Sequence, residues 1–468
     1  MRTRAASLAL VLLVVAAGGC STYVDRNARL RDDLATRDYD AALKVIDEAE
    51  RGPDRLLTLL ERGLVLHYAD RWEESNTAFE AAEELSAELY TRSVSQAVVS
   101  LVTNDAAVDY RAAPYEMALV PYFRALNYIG LNRRDAALVE ARKAELRLRD
   151  LAEVERALAR DDEDVQDPAV SLDDHALLHW FRGMLHEWGG ETNDAFLAYR
   201  RAALAFRDTG PALGLATPAA LGGDLARTAA ALGFADELAE VRRACPALTV
   251  PDAAPAADTG RVVLFLELGW APRLESVAAD VPIFKNEVRD DRAVMVRHLG
   301  TRYRTGWRSE AEIAYWLRFA LPEMVDEAPR VTGARVSAGL PGSHARAVLA
   351  DDVAARAELR FQENQGAVVL RTIGRALAKW LATEKAEDQG KLAGLLMNLL
   401  GAATEHADTR GWLTLPHGIA VARLELPPGV HDLRVELTDA ADRTVETRTI
   451  EGVTVRPGGW TFLSRRVF

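Results

Sequence analysis

Two cysteines, Cys20 and Cys245, are all that 468 residues contain, so no disulfide framework holds this chain together. Lysine is nearly as scarce, supplying six of the 57 basic residues against 51 arginines. Acidic residues outnumber both, and the formal net charge of −13 argues against nucleic acid or anionic lipid as a general partner. Catalytic signatures are missing too. There is no GxSxG elbow, no phosphate-binding P-loop, no GxGxxG after a strand, no HExxH and no CxxC, so the sequence offers no catalytic residue and no cofactor. Among nine histidines, His175, His179 and His186 come nearest to metal-ligand spacing. Their helical phase puts His179 and His186 at packing positions, so packing is preferred over a metal site.

An apolar run long enough to span a bilayer is also absent. The longest near the start, Leu8–Ala17, has ten residues, too few for a permanent span. Arg2 and Arg4 precede it and Gly18-Gly19-Cys20 follows, which reads as an export signal over residues 1–19. Small residues before a cysteine resemble the lipobox of bacterial lipoproteins, with Ala17 where leucine is usual. The resemblance implies cleavage and lipid attachment at Cys20, and Ser21 in place of aspartate resembles lipoproteins sent on to the outer membrane. The alternative is ordinary signal cleavage beside an incidental cysteine.

What the chain does contain is a repeat. Leu56–Leu89 reads as two short helices joined by Ala69–Trp72, with Gly63, Ser75 and Ala82 letting the backbones approach and Phe79 filling the space between them. That is the spacing of a tetratricopeptide helix pair of about 34 residues. It recurs at 118–151 (Ala125, Ala137, Ala141, Ala144, with Tyr128 between them) and at 176–209 (Gly183, Ala195, Tyr199, Ala202). A half-unit precedes at Arg37–Ala49, with Ala42, Ile46 and Ala49, and a weaker copy follows at Ala219–Cys245, with Ala226 in phase and Leu232–Glu237 as its turn. One pair cannot bury its own apolar face, so a helical solenoid over 20–245 is expected. Two inserts interrupt it. Tyr90–Asn104 is apolar at helical spacing and reads as an added helix; Asp161–Pro168 lacks the spacing of a calcium loop and reads as a solvated loop.

The concave face of such a stack would be lined by Leu57, Leu60, Leu64, Leu119, Tyr122, Leu126, Leu177, Trp180 and Met184. Peptide-binding grooves of this kind carry charged and amide side chains, and a stripe this apolar is a liability in water. Filling by the chain itself is the favoured expectation; capture of a partner, or of a lipid or acyl chain, is the alternative. An arginine stands one residue before the small position in four units, at Arg29, Arg62, Arg124 and Arg182. It reads as an internal ladder pairing with adjacent carboxylates in preference to a stripe for an acidic partner.

Pro246–Gly260 holds three prolines, five alanines and no aromatic residue, which marks a linker. Beyond it the pattern becomes mixed α/β over 261–468. Arg261–Gly269 is an apolar run of strand length, expected to be buried on both faces, and Trp316–Pro322 and Arg330–Ala338 read as strands. Asp351–Lys385 is a long helix with Asp351 and Asp352 as caps, and Lys391–Ala403 a second helix. Residues 411–468 alternate with period two between turns at Pro427-Pro428-Gly429 and Pro457-Gly458-Gly459, predicting an antiparallel sheet or small sandwich. Asp408, Arg410 and Trp412 suggest an Asp–Arg pair under an indole lid, with His417 the titrating group nearby. A structural corner joining the long helix to the terminal sheet is preferred over a reaction centre. The fold class is therefore multidomain: a tetratricopeptide-like helical solenoid, then a mixed α/β region.

The run RVVLFLELGWAPRLES, the helix DDVAARAELRFQENQGAVVLRTIGRALAKWL, the segment ADTRGWLTLP and the closing ARLELPPGVHDL together resemble an uncharacterised family of bacterial lipoproteins with tetratricopeptide-like repeats. The resemblance covers the signal, the repeats and the second half, and ADTRGWLTLP is its most specific part. It implies an outer-membrane lipoprotein facing the periplasm, held to the membrane through its N-terminal lipid, with other envelope proteins as partners. The function expected is a non-enzymatic scaffold for protein–protein interaction in cell-envelope assembly or maintenance. A regulator or activator of a peptidoglycan synthase or hydrolase is the alternative, and lipid or acyl-chain binding in the groove a third. A Cys20→Ser variant should move from the membrane to the soluble fraction of broken cells; an unchanged membrane fraction contradicts lipid attachment.

Overall fold

The computed structural model describes residues 22–49, 54–91, 108–161, 168–252, 259–284, 313–387 and 407–468. The expected signal, Cys20, nearly all of the first insert, most of the acidic run and the expected helix at Lys391–Ala403 lie outside these residues.

Five helix pairs follow one another: α1 (Ala28–Ala35) with α2 (Tyr39–Ala49), α3 (Arg55–Tyr68) with α4 (Trp72–Thr91), α5 (Val120–Gly130) with α6 (Arg134–Asp161), α7 (Ala176–Trp188) with α8 (Thr192–Asp208), and α9 (Ala219–Leu232) with α10 (Ala235–Ala244). All five turn in the same way. The residue two before each second helix has positive φ, at Arg37 (63°), Asp70 (58°), Asn132 (57°), Gly190 (81°) and Gly233 (73°). The next N–H then reaches back five residues: Asp38 to Asp33, Arg71 to Leu66, Arg133 to Tyr128, Glu191 to His186 and Phe234 to Ala229. This left-handed closure satisfies the last carbonyls of the first helix and fixes the angle of the second. The degenerate unit at 219–245 shares it, so it is a full member of the stack.

Within a pair, the ring of the second helix fits only against bare backbone. A Cβ on Gly63 would lie 2.6 Å from the Phe79 ring, and one on Gly183 2.3 Å from Tyr199. Ser75 Oγ adds a 2.6 Å bond to the Gly63 carbonyl. The small-residue positions expected from the sequence thus have a steric cause.

The second half comprises β1 (Gly260–Leu268), β2 (Arg273–Phe284), β3 (Ile313–Val325), β4 (Gly333–Ser337), β5 (His344–Arg346), β6 (Val348–Asp352), α11 (Val353–Glu387), β7 (Gly418–Leu426), β8 (Gly429–Thr438), β9 (Thr444–Val455) and β10 (Trp460–Val467). β1 pairs in parallel with β10 and antiparallel with β7, giving a first sheet in the order β10-β1-β7-β6. A second sheet runs β5-β4-β8-β9, and β2 and β3 form a separate two-stranded ribbon. Val262, Leu264 and Leu266 of β1 pack on Val336, Leu433 and Val435 of the second sheet. From the other face, Val263 and Phe265 join Ile419, Val421 and Phe462 in a core continuous with the helical stack. Burial of β1 on both faces, expected from its near-continuous apolar run, follows from its place between two layers.

Several expectations need correction. Residues 411–468 do not close a sheet of their own. The Pro427-Pro428-Gly429 turn carries the chain from β7 in one sheet to β8 in the other, and Pro457-Gly458-Gly459 carries it back from β9 to β10. Two prolines without N–H groups suit a crossing better than a hairpin ladder. Asp351 lies within β6 instead of capping the helix; Asp352, the last residue of β6, caps it, its Oδ1 accepting from Ala355 N at 2.8 Å. The first part of the expected linker is packed down, with Leu248 buried and the Thr249 carbonyl 2.0 Å from where a Gly222 Cβ would stand. Among the described residues no helix is long and apolar enough to cross a membrane. Gly183→Ala, which forces a methyl into the Tyr199 ring, should cost about 1–3 kcal/mol in urea unfolding; an unchanged midpoint contradicts the close approach.

Candidate functional site

All nine residues expected to line the groove are buried, Leu126 being the most exposed of them at 6%. The cover is the chain itself. The indole of Trp412 enters between Phe79 and Phe123, ring centroids 6.0 and 6.1 Å away, and Leu413 and Leu415 are buried beside it. Farther along, Phe265 of β1 meets Tyr122 and Phe181 edge-on at 5.6 and 5.1 Å, and Phe462 of β10 meets Phe181 and Trp188. This corrects one sequence reading: a lipid or acyl chain in the groove would have to displace the protein's own aromatic rings.

Two buried carboxylates hold the plug by its backbone. Trp412 N donates to Glu116 Oε1 at 2.8 Å, Leu413 N to Glu61 Oε1 at 2.7 Å and Thr414 N to Glu61 Oε2 at 3.2 Å. The Thr414 hydroxyl also bonds Glu61 Oε2. Glu116 Oε2 accepts from Tyr110 Oη and Ala113 N, each at 2.7 Å. Three consecutive N–H groups with no strand or helix to satisfy them are thereby paired inside the core. Burial pushes the Glu61 carboxyl from 4.5 up to about 8, the bonds from Thr414 and Leu413 resisting, and burial likewise raises Glu116.

Arg410 secures the near end. Its Nη2 donates to Asp408 at 2.7 Å, and its Nη1 reaches the Val108 carbonyl at 2.8 Å and Asp54 at 3.4 Å. The predicted Asp–Arg pair exists, but the ring over it is Tyr110, 5.4 Å from the guanidinium, while Trp412 points into the groove. The corner therefore ties the α/β half to the helical stack, where a joint between long helix and terminal sheet was expected. His417 stands apart, 3.2 Å from Asp326.

Two of the four arginines fit an internal ladder: Arg124 is buried between Glu83 and Glu140, and buried Arg182 reaches Glu145 at 3.1 Å. Arg62 pairs with Asp47 at the surface, and Arg29 is exposed. The histidines do not converge. His175 faces Asp351 at 3.5 Å, His179 bonds the Asp173 carbonyl at 2.7 Å and His186 bonds Glu191 at 2.7 Å. Burial lowers His175 and His179 to about 3, so both are neutral packed rings. His186, Glu191 and Asp194 do come within 4.8 Å of one another, but Glu191 is also taken by Arg142.

Among the buried acids at the joint, Glu61, Glu116, Asp224 and Glu267 escaped the sequence reading. Asp224 accepts from Trp180 Nε1 at 2.9 Å on the stack and from Arg423 at 2.8 Å on β7; burial would raise its pKa, but Arg423 and Arg227 outweigh it and hold it low. Glu267 accepts from Tyr122 Oη at 3.1 Å. A signal for Glu61 existed, because it stands in phase with Leu57 and Leu64, a charge inside the apolar stripe.

The fold and this joint define a helical-repeat protein of tetratricopeptide-type pairs, closed over its concave face by its own α/β half. No family model and no curated protein matches the chain. Among solved structures it is similar to aspartyl phosphate phosphatase F from Bacillus subtilis, at 16% identity over 50% of this chain and 52% of that one, TM-score 0.32. It is also similar to the yeast Sti1 TPR2AB domain solved with pHSP90 (12% identity, 47% and 96% of the chains, TM-score 0.20). A third likeness is to PilW, a type IV pilus biogenesis factor (15% identity, 47% and 89%, TM-score 0.21). The chain spans about half the length of the phosphatase it matches.

Trp412→Ala should cost about 3–5 kcal/mol in denaturant unfolding, since the cavity left lies inside the shared core; a loss under about 1 kcal/mol contradicts the plug. The Glu61 carboxyl binds its proton more tightly folded than unfolded. Its stabilisation is whole below its ordinary value of 4.5 and is lost as pH rises through about 8. The melting temperature should therefore fall between about pH 5 and pH 8, and Glu61→Gln should flatten that fall. An equal fall in the variant contradicts it.

Proposed function

We propose that this protein is a lipid-anchored scaffold of the bacterial envelope that binds other envelope proteins through its outer helical surface. The observation that carries this reading is the filled groove: the usual peptide-binding face of such a stack is occupied by residues 412–415, so recognition has to use other faces. The second helices of the pairs offer one. Val139 and Leu146 on α6 and Leu197 on α8 are exposed at 44, 57 and 48%. Anchoring through Cys20, the outer-membrane location and the envelope setting rest on the signal and on the family resemblance. The narrower role of regulating a peptidoglycan synthase or hydrolase is a special case of the same reading.

A photo-crosslinking residue placed at Leu146 or Leu197 should yield adducts with another envelope protein in living cells. Recovery of a peptidoglycan synthase or hydrolase in those adducts would select the narrower role. No adduct at either position contradicts binding through this surface.

A further inference from the structure

The outward faces of the second helices do not share one chemistry. Ala141 on α6 and Tyr199 on α8 hold the same repeat position, and so do Ala144 and Ala202, which aligns VEARKAELRLRD (139–150) with LAYRRAALAFRD (197–208). Their buried positions are alike because the stack requires it. The outward positions are alike as well, and no packing within the stack requires that. An apolar residue, Val139 or Leu197, is followed three residues later by a basic pair, Arg142-Lys143 or Arg200-Arg201. A leucine comes next, Leu146 or Leu204, then an arginine and an aspartate. At three- and four-residue spacing these side chains share one stripe of each helix. Val139, Leu146 and Leu197 are exposed, as are Arg142, Lys143 and Arg201.

The preceding pair has the opposite sign. With Phe79 in the position of Tyr199, the places of Val139, Arg142, Leu146 and Asp150 are taken on α4 by Thr77, Glu80, Glu84 and Glu88, all exposed. A chain of net charge −13 thus gathers arginine and leucine on two successive helices, next to an acidic one. The cations are only loosely engaged. Arg142 pairs with Glu191, Arg201 with Asp174 at 3.2 Å and Arg207 with its neighbour Asp208 at 2.6 Å. Such surface pairs contribute little, so an incoming carboxylate can replace them.

We propose that the stripe on α6 and α8 docks an acidic amphipathic segment of another envelope protein. Its carboxylates meet the basic rows, and its apolar residues cover Val139, Leu146 and Leu197. This rests on the scaffold reading and specifies the chemistry of what the scaffold binds. An anionic membrane surface fits less well, because Asp150 and Asp208 lie within the stripe and the acidic face of α4 adjoins it.

The test places a diazirine amino acid at Leu146 or Leu197 of the full chain in living cells and reads the attachment site on each adduct by mass spectrometry. The expected adduct joins a protein segment richer in Asp and Glu than in Lys and Arg. Its yield should fall about tenfold in Lys143→Glu and in Arg201→Glu at equal protein level, and hold in Arg434→Glu, an exposed reversal on β8. If Arg201→Glu does not fold, Lys143→Glu decides alone. Adducts that both reversals leave unchanged, or that join a segment without acidic excess, overturn the acidic partner while scaffold binding stands. Adducts only to phospholipid, or only to a second copy of this chain, overturn it too. No adduct at either position contradicts this inference and the scaffold surface together.

Discussion

An apolar concave surface cannot be left facing water, and the way this chain covers its own determines most of the structure. Nine large side chains line the inner face of the repeats, and residues 412–415 with Phe265 and Phe462 are laid over them. Apolar burial supplies the drive, at about 25 cal/mol per Å². It supplies no register, because a hydrophobic stripe accepts many partners. Register comes from Glu61 and Glu116, which accept the three successive N–H groups of Trp412, Leu413 and Thr414. An extended segment seated in a repeat groove through its backbone is how such stacks hold peptides; here the peptide is part of the same chain.

The consequence is that the halves are one body energetically. β1 packs one face on the second sheet and the other on Tyr122 and Phe181 of the stack, so parting the halves would expose the Val263 and Phe265 face of β1 together with the apolar inner face of the repeats. Polar pairs cross the same boundary: Tyr122 with Glu267, Trp180 and Arg423 on Asp224, and Arg410 on Asp54. Removing one partner of such a pair leaves the other buried and unsatisfied, at about 1–3 kcal/mol each, so they penalise misdocking more than they add net stability.

Much of this was legible in the sequence because it rests on local spacing. The repeat phases of Gly63, Ser75, Phe79, Gly183 and Tyr199 follow from helix-on-helix contact within about 34 residues, and β1 announced itself by a near-continuous apolar run. That the groove would be filled from within was readable from its composition. What filled it was harder, since residues 412–415 are irregular and meet Glu61 about 350 residues earlier, a distance no periodicity spans. The turns at Pro427-Pro428-Gly429 and Pro457-Gly458-Gly459 look like hairpins locally, and only the three-dimensional order of strands reveals them as crossings between sheets. Glu61 was marked only by its phase within the apolar stripe, and an acid in such a place has the same sequence signature whether it meets solvent at the edge of the stripe or clamps a loop.

Amide hydrogen exchange at Trp412, Leu413 and Thr414 tests the clamp most directly. These N–H groups belong to no helix or strand, so only the Glu61 and Glu116 carboxylates can protect them. The predicted result is exchange as slow as that of the β1 core amides, released only by global unfolding. Exchange at the rate of exposed loops, while β1 stays protected, would contradict the self-filled groove.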